Sequence, residues 1–543
     1  MIKGFRQIAS LTALSRVFGL VRDVAFAHFF GAVGLMDAWV IAFQIPNLAR
    51  RLFGEGAASA SFIPVYRRQI EENPLSAVKL ANTVTTVIFV LLAGLVMLGW
   101  TGILLYRSFF APNPETMMML SLISVMLPYM VMICTVAILA GILNVHGHFA
   151  APAVAPVILN IFIIGAVLLT GWVFEIEPKQ QVFAVAVAVL VAGLAQIAIQ
   201  IPPLRASGVS IRPAWDIHSE AFRKIIILMG PMIIGLTVTQ VNTLADNVIA
   251  RFLSGSAEKG DFFTFFGAQI KYPLWRGSVS HLYFAQRLYQ FPLGVLGIAL
   301  ATAIFPAMSA DAARNDLDGL RKTISRGIGA AVFVAIPAAV GLILVARPLV
   351  SAVLEHGQFT GGATKMTAWT LSFYALGLCG FFAQQILTRA FYSIQDSKTP
   401  MRSAMIAVAA NVCFNLTLVW FMGTAGLALS TAICSYLQLC ILIVVLRKRF
   451  GGDILEGLVA ILVKTLLATL VCWLIGALVL YLCRNLPTTA GFDILRLAAV
   501  VPSAATAYLL IARCLKMEQI RLFTGTKGRS NFTPSEKFPD NDS

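Results

Sequence analysis

Apolar residues run along this chain in long blocks, separated by Pro, Gly and clustered charge. Divided at those breaks, the pattern predicts about fourteen helices, at 5–30, 36–68, 77–106, 117–145, 152–173, 181–203, 221–253, 280–309, 324–346, 366–393, 402–422, 425–446, 454–482 and 492–515. Each is long enough to cross a bilayer core of roughly 30 Å. The expected fold class is an all-α polytopic membrane protein, since helices satisfy their own backbone groups in lipid. The opening "MIKGFRQIASL" lacks the short apolar core and small-residue cleavage site of a removable signal peptide, so the first span is expected to be retained.

The pattern repeats at a distance of six spans. Span two reads "FQIPNLARRLFGEGAASASFIPVY" and span eight "YQFPLGVLGIALATAIFPAMS"; each opens with aromatic-Gln-apolar-Pro, Phe43 to Pro46 and Tyr289 to Pro292. A second echo joins "GILNVHGHFAAP", ending at Pro152, to "RAFYSIQDSKTP", ending at Pro400. Six is an even number of crossings, so the halves are expected to be parallel repeats about an axis along the membrane normal. They divide the chain into a lobe at 1–206, a lobe at 207–450, two leftover spans at 451–515 and a polar cytoplasmic tail at 516–543. Such a tail buries too little apolar surface to order itself. Pro46, Pro64 and Gly54-Glu55-Gly56 in span two, with Pro292 and Pro306 in span eight, mark either ordinary kinks or the broken helices found at transporter substrate sites.

Composition agrees with the pattern and adds orientation. The chain is 58% hydrophobic and 12% charged, with a mean hydropathy of +0.83, where soluble domains are about a quarter charged. Its net charge of +16 is unevenly placed. With the N-terminus inside, inner connections collect cations such as Arg67, Arg68, Lys79, Arg205, Arg212, Lys398 and the run Arg447-Lys448-Arg449, whereas outer loops hold far fewer. The positive-inside rule then puts both termini in the cytoplasm. The basic charge is topological and calls for no nucleic acid. The eight cysteines form no CxxC pair, so neither a structural disulfide nor a zinc site is expected.

Charge inside the spans is the exception to this hydropathy. At about 100° per residue, Ser15, Arg16, Gly19, Arg22 and Asp23 of "SRVFGLVRD" share one face of span one. Lipid exposure of that face is costly, so it is expected to point at protein or a wet cavity. Asp37, Arg50, Arg51 and Glu55 follow on span two, with Arg51 and Glu55 at pairing distance, and Arg287 lies on span eight. Five arginines against Asp23 and Glu55 leave a cationic excess, which an anionic ligand completes. Arginine's planar fork matches phosphate oxygens two at a time. The alternative is a purely structural network, with Arg16 or Arg22 paired to Asp23.

On "SRVFGLVRD", "DAWVIAFQIPNLARRLFGEGAASASFIPVY", "GSVSHLYFAQRLYQFPLGVLGIALATAIFPAMS" and "FYSIQDSKTP" the chain resembles the MurJ/MviN family of bacterial lipid II flippases, in the MOP exporter superfamily. The resemblance covers nearly the whole chain. It implies two six-helix lobes around a V-shaped cavity, with the last two spans forming a groove for a polyprenyl tail. Headgroup residues implied by it are Ser15, Arg16, Arg22, Asp23, Asp37, Arg50, Glu55, Asn160, Ser280 and Arg287. The family commonly places an acid before Arg287, where this chain has Gln286, and a longer outer loop, "SGSAEKGDFFTFFGAQIKYPLWRGS", precedes span eight. The aromatic content of that loop suits an interfacial segment.

The expected function is transport, not catalysis: movement of lipid II, undecaprenyl-diphosphate-linked disaccharide-pentapeptide, from the inner to the outer leaflet of the bacterial cytoplasmic membrane. An exporter of lipid-linked O-antigen or capsule units shares the pyrophosphate logic and stays open. A multidrug exporter of organic cations wants carboxylates, and this site is basic. A membrane-embedded enzyme acting on polyprenyl phosphates needs acidic or His clusters, and the six histidines are scattered. No P-loop supplies ATP hydrolysis. No cofactor is expected. The membrane potential alone suffices to drive an anion outward, at about 2.3 kcal/mol per charge per 100 mV. Coupling to Na+ or H+ is the alternative. Related family members suggest a sodium site, here drawn from Asp246, Asn411, Asn415 and Thr431, whose oxygens suit a hard cation. Lipid II and membrane lipids are the expected partners, with room left for the cell-wall synthesis machinery.

Overall fold

The computed structural model describes residues 2–451, 455, 457–487 and 489–520, with side chains described except at 2–9, 55–60, 231, 234–236, 238, 239 and 241. The chain begins with α1 (Ile2–Phe30). Then α2 (Gly34–Ala49), a π-helical turn (Arg50–Gly56) and α3 (Ala57–Glu72) form one continuous run. Next come α4 (Pro74–Phe110), α5 (Pro114–Val145), α6 (Ala150–Leu168) with a π turn at Leu169–Val173, and α7 (Pro178–Ala206). A second set opens with α8 (Glu220–Phe252). It continues through α9 (Ser278–Pro292), a π turn (Leu293–Gly297), α10 (Ile298–Ala313), α11 (Leu317–Leu344) and the short α12 (Ala346–Leu354). The remainder is α13 (Gly361–Leu376), α14 (Leu378–Ser393), α15 (Lys398–Met422), α16 (Thr424–Phe450), α17 (Leu458–Leu482) and α18 (Ala490–Cys514).

Apart from a few end residues, each predicted span falls on one helix, one continuous run or the bent pair α13–α14; the span expected at 454–482 starts outside the described residues and is α17 from Leu458. Among the described residues, ten runs are long and apolar enough to cross a membrane, or eleven if α13 and α14, bent by 42°, count as one. Of the fourteen expected spans, the charged α1, the α2–α3 run and α8 are not among them. Local chemistry sets several starts. Asn73 and Asn113 cap α4 and α5 through their side-chain oxygens, and the Pro that follows each supplies a residue with no amide to satisfy.

The repeat read from the sequence recurs in the packing. α1 packs on α6, α2 on α5, α4 on α5, and α7 on both α5 and α6. Six spans on, α8 packs on α15, α9 on α13, α11 on α14, and α16 on α13, α14 and α15. The matching aromatic-Gln-apolar-Pro motifs also do matching work. Phe43 stacks on Tyr129 of α5 (6.4 Å between centroids, 14° between planes), and Tyr289 stacks on Tyr374 of α13 (4.8 Å, 21°). Each motif proline is followed by a π turn, where the helix loses its regular hydrogen-bond register. The molecule is thus two six-span bundles, with α17 and α18 packed outside them on α11 and α12.

Strands occur as well, among the described residues all in the loop between α8 and α9. β1 (Ser254–Gly255) pairs in parallel with β4 (Leu274–Trp275), and β2 (Phe262–Phe265) pairs with β3 (Ala268–Lys271) as an antiparallel hairpin. Hydropathy marked this stretch only as aromatic.

The last helix is tied to the second bundle by Tyr508, whose hydroxyl donates to the Phe333 carbonyl (2.6 Å) while its ring lies 5.2 Å from that of Phe333. Tyr508→Phe keeps the ring and removes the bond. Interhelical hydrogen bonds in membranes average roughly 0.6 kcal/mol, so a small drop in melting temperature in detergent is expected, with Tyr508→Ala costing clearly more. Equal losses from the two substitutions would show that the hydroxyl, not the ring, holds α18.

Candidate functional site

α1 turns Arg22 and Asp23 inward, toward α6 and α9. Both are buried, Asp23 to 4% exposure. Arg22 donates to Asp23 Oδ1 from Nε (3.1 Å) and Nη2 (2.8 Å), and from Nη1 to Asn160 Oδ1 on α6 (3.1 Å). Asn160 in turn donates to the Ser15 carbonyl (3.3 Å). Tyr283 and Arg287 arrive from α9, one turn apart on one face. The Tyr283 hydroxyl donates to Asp23 Oδ1 (2.8 Å) and Arg287 Nε lies 3.8 Å from Oδ2. The Arg287 guanidinium rests over the Tyr283 ring at 4.9 Å, an attraction between cation and ring face. One carboxylate therefore joins the two bundles and faces two guanidinium groups.

Arg287 is only partly covered, with a side chain 42% exposed. Arg16 is exposed and reaches the π turn of span eight: a Cβ added at Gly294 would stand 3.2 Å from Arg16 Nη1. Glycine at this position makes the space in which that guanidinium lies. Arg50 stands half-buried on the π turn of span two, and Arg51 beside it donates to Gln240 of α8 (2.7 Å). The Glu55 side chain lies outside the described residues.

A second carboxylate bridges the bundles differently. Asp37 on α2 is 1% exposed. Its Oδ2 accepts from the Gly277 amide (2.8 Å), and its Oδ1 from the Ser280 amide (2.7 Å) and hydroxyl (2.5 Å). α9 has no side-chain cap of its own, so Asp37 caps it from the other bundle and faces the positive end of its dipole. Gly277 has φ +92°, and a Cβ there would meet the Ala32 carbonyl, so the approach requires glycine. Nearby, the Gln358 amide donates to the His28 carbonyl (2.8 Å). Ser280 is thus engaged with Asp37, one turn before Tyr283.

A third cluster lies inside the second bundle. Asn415 Nδ2 donates to Asp246 Oδ1 (2.6 Å), the Asn411 side-chain amide lies 2.7 Å from the same nitrogen, and Thr431 Oγ1 lies 3.4 Å from Asp246 Oδ2. Asn415 Oδ1 is buried and makes no hydrogen bond. The four positions expected to group do so, on α8, α15 and α16.

Of the residues named from sequence, Ser15, Arg22, Asp23, Asn160 and Arg287 meet at one point, Asp37 and Ser280 at another. Tyr283 was missed, although it stands four residues before Arg287 and so shares its helix face. Gln286 donates to the Tyr374 hydroxyl (3.0 Å), so position 286 faces α13 and the partner of Arg287 is Asp23.

Residues 26–500 match the lipid II flippase MurJ family. The chain belongs to the MurJ family. A probable lipid II flippase MurJ of Vibrio cholerae is 34% identical over 450 residues, 80% of this chain and 81% of that one. One from Haemophilus influenzae is 30% identical, covering 89% and 93% of the two chains. Among solved structures, a lipid II flippase MurJ in an inward closed conformation superposes with a TM-score of 0.73 at 24% identity, over 94% of this chain and 99% of that one. An inward-facing multidrug MATE transporter of the MOP superfamily reaches 0.63 at 15% identity, over 82% and 98%. Both structural likenesses are of fold. As in the MurJ family at large, the chain is a transporter and not an enzyme, a multi-pass protein of the bacterial inner membrane.

The shared carboxylate makes a graded prediction. Asp23→Ala leaves two guanidinium groups without their anion, a loss of roughly 3–5 kcal/mol for a broken buried pair. Tyr283→Phe leaves both ion contacts in place and is expected to cost about 1 kcal/mol. Thermal unfolding in detergent checks the order, and a Tyr283→Phe loss as large as that of Asp23→Ala would move the keystone from the carboxylate to the phenol.

Proposed function

We propose that the protein carries lipid II from the inner to the outer leaflet for peptidoglycan synthesis, by alternating access of the space between its two bundles. The observation behind this reading is the arginine surplus: Arg22 and Arg287 share the single Asp23 carboxylate, and a further cation, the exposed Arg16, lies at the Gly294 turn of the same span as Arg287. A pyrophosphate completes that set, since each guanidinium takes two phosphate oxygens. Sugar and peptide then sit in the same wet space while the polyprenyl chain stays in lipid. The exposed apolar stripe Val463, Leu467, Leu470 and Leu474 on α17 supports a resting surface for that chain beside the bundles. In this reading 1–206 and 207–450 are the moving lobes, 451–515 the tail groove, and both termini face the cytoplasm.

Charge supplies the direction. The headgroup is anionic and bacterial interiors are negative, so outward movement gains about 2.3 kcal/mol per charge per 100 mV. Return of the empty site carries its surplus positive charge inward, down the same field. The residues around Asp246 fit a hard monovalent cation, with a carboxylate, two amides and a hydroxyl, and with Asn415 Oδ1 lacking a hydrogen-bond partner. A bound Na+ there balances the Asp246 charge. The cycle derived from the arginines does not require it.

Ala at Arg16, Arg22, Arg50 or Arg287 is expected to abolish complementation of a lipid II flippase depletion strain at near-normal membrane levels, with Lys rescuing only in part. Gly294→Val, which fills the space of the Arg16 guanidinium, is expected to match Arg16→Ala. Parallel loss of protein level in all of them would make these folding residues and remove the support for a pyrophosphate site.

Reconstituted vesicles test the driving force. Collapsing the membrane potential is expected to stop flipping of labelled lipid II, whereas Asp246→Asn only slows it. Full flipping on a sodium gradient without a potential would reverse that ranking.

A further inference from the structure

The loop between α8 and α9 carries an amphipathic hairpin. Its base is closed by β1–β4 pairing and by the Leu274 amide donating to the Leu253 carbonyl (3.3 Å). Above that base, β2 and β3 pair Phe262 with Lys271, Phe263 with Ile270, Thr264 with Gln269 and Phe265 with Ala268. Residues directly opposite share a face of the sheet. One face is therefore Phe263, Ile270, Phe265 and Ala268, wholly apolar; the other is Phe262, Lys271, Thr264 and Gln269. The turn is Phe266-Gly267, both with positive φ (46° and 81°), as a tight two-residue hairpin demands. At the tip Phe266 is 95% exposed, in edge contact with Phe265, which is also exposed.

Two observations fix the level of this hairpin. Its base abuts Gly423, where α15 ends: a Cβ there would stand 3.5 Å from Leu274 Cδ2. Its apolar face then runs onto the last turn of α15, with the Phe263 ring 6.3 Å from that of Trp420 and 5.0 Å from Tyr272. α15 is one of the membrane-crossing helices, and Phe421 next to Trp420 is 86% exposed. Tryptophan at the end of a span marks the boundary between hydrocarbon and headgroups. The apolar face of the hairpin is thus continuous with a lipid-facing surface at the depth where the span leaves the membrane. A lone two-stranded hairpin is marginal in water and needs its apolar face covered.

We propose that the hairpin 262–271 is an interfacial membrane anchor, with Phe265 and Phe266 inserted among the lipids and Thr264, Gln269 and Lys271 turned to headgroups and water. The covering partner is the bilayer that holds the protein. The anchor joins the end of α8, which carries Asp246, to the start of α9, which carries Tyr283 and Arg287, and so ties both to the membrane plane.

Photocrosslinking tests it in the intact protein. Benzoylphenylalanine replaces Phe266, Thr264 or Phe421, one at a time, in nanodiscs of phosphatidylethanolamine and phosphatidylglycerol, and adducts are read by mass spectrometry of the labelled peptide. Position 421 reports lipid contact at the end of a span. Phospholipid adducts at 266 at a yield near that of 421, and at least fivefold above 264, are expected. No adduct at 266 while 421 reacts would place the tip in water and overturn the proposal. A crosslink from 266 to a second copy of the chain would overturn it too, as would equal lipid adducts at 264 and 266, which leave the hairpin without a sided orientation.

Discussion

A carboxylate inside a membrane span must be answered by other groups, and the way Asp23 is answered organises this molecule. Its donors come from its own helix and from α9, so neutralising one charge brings the two bundles together. The answer overshoots, since two guanidinium groups share one carboxylate and Arg16 stands close by. Asp37 shows the opposite outcome on the neighbouring helix. There a carboxylate is matched by two amides, a hydroxyl and a helix dipole, with Arg251 and Arg276 adding positive charge nearby. The first arrangement leaves guanidinium charge over, which is what the proposed anion site rests on, and the second is a hydrogen-bonded latch between the same two bundles.

Hydropathy made the fold legible because fourteen apolar blocks leave little choice of class. The arginine face of α1 was legible too, since three charges on one side of a span are too costly to leave facing lipid. What escaped was supplied by partners far along the chain. Tyr283 meets Asp23 across 260 positions, and nothing around Asp37 announces that it caps a helix starting at Ser278. The α8–α9 loop was unreadable for another reason. Its aromatic residues suit an interfacial segment, but the strand pairing there depends on a two-residue turn that hydropathy does not register.

The duplicated frame is used asymmetrically. Phe43 on Tyr129 and Tyr289 on Tyr374 are corresponding stacks in the two bundles, each ahead of a π turn. The breaks themselves differ. In span two the irregular turn carries Arg50 and Arg51; in span eight it carries Leu293 to Gly297 with no charge, and Gly294 leaves room for an arginine reaching over from α1. At the breaks themselves, one half brings cations and the other brings clearance.

A π turn contains about one residue more than an α turn, and each residue advances a helix by about 100°. Everything after Gly56 and after Gly297 is therefore out of phase with the stripe that begins the same span. The face that Pro46 or Pro292 shows to its own bundle is not the face continued by α3 or α10. Both spans thus change phase at corresponding breaks, over seven residues in span two and five in span eight, so neither carries a single unbroken stripe through the membrane.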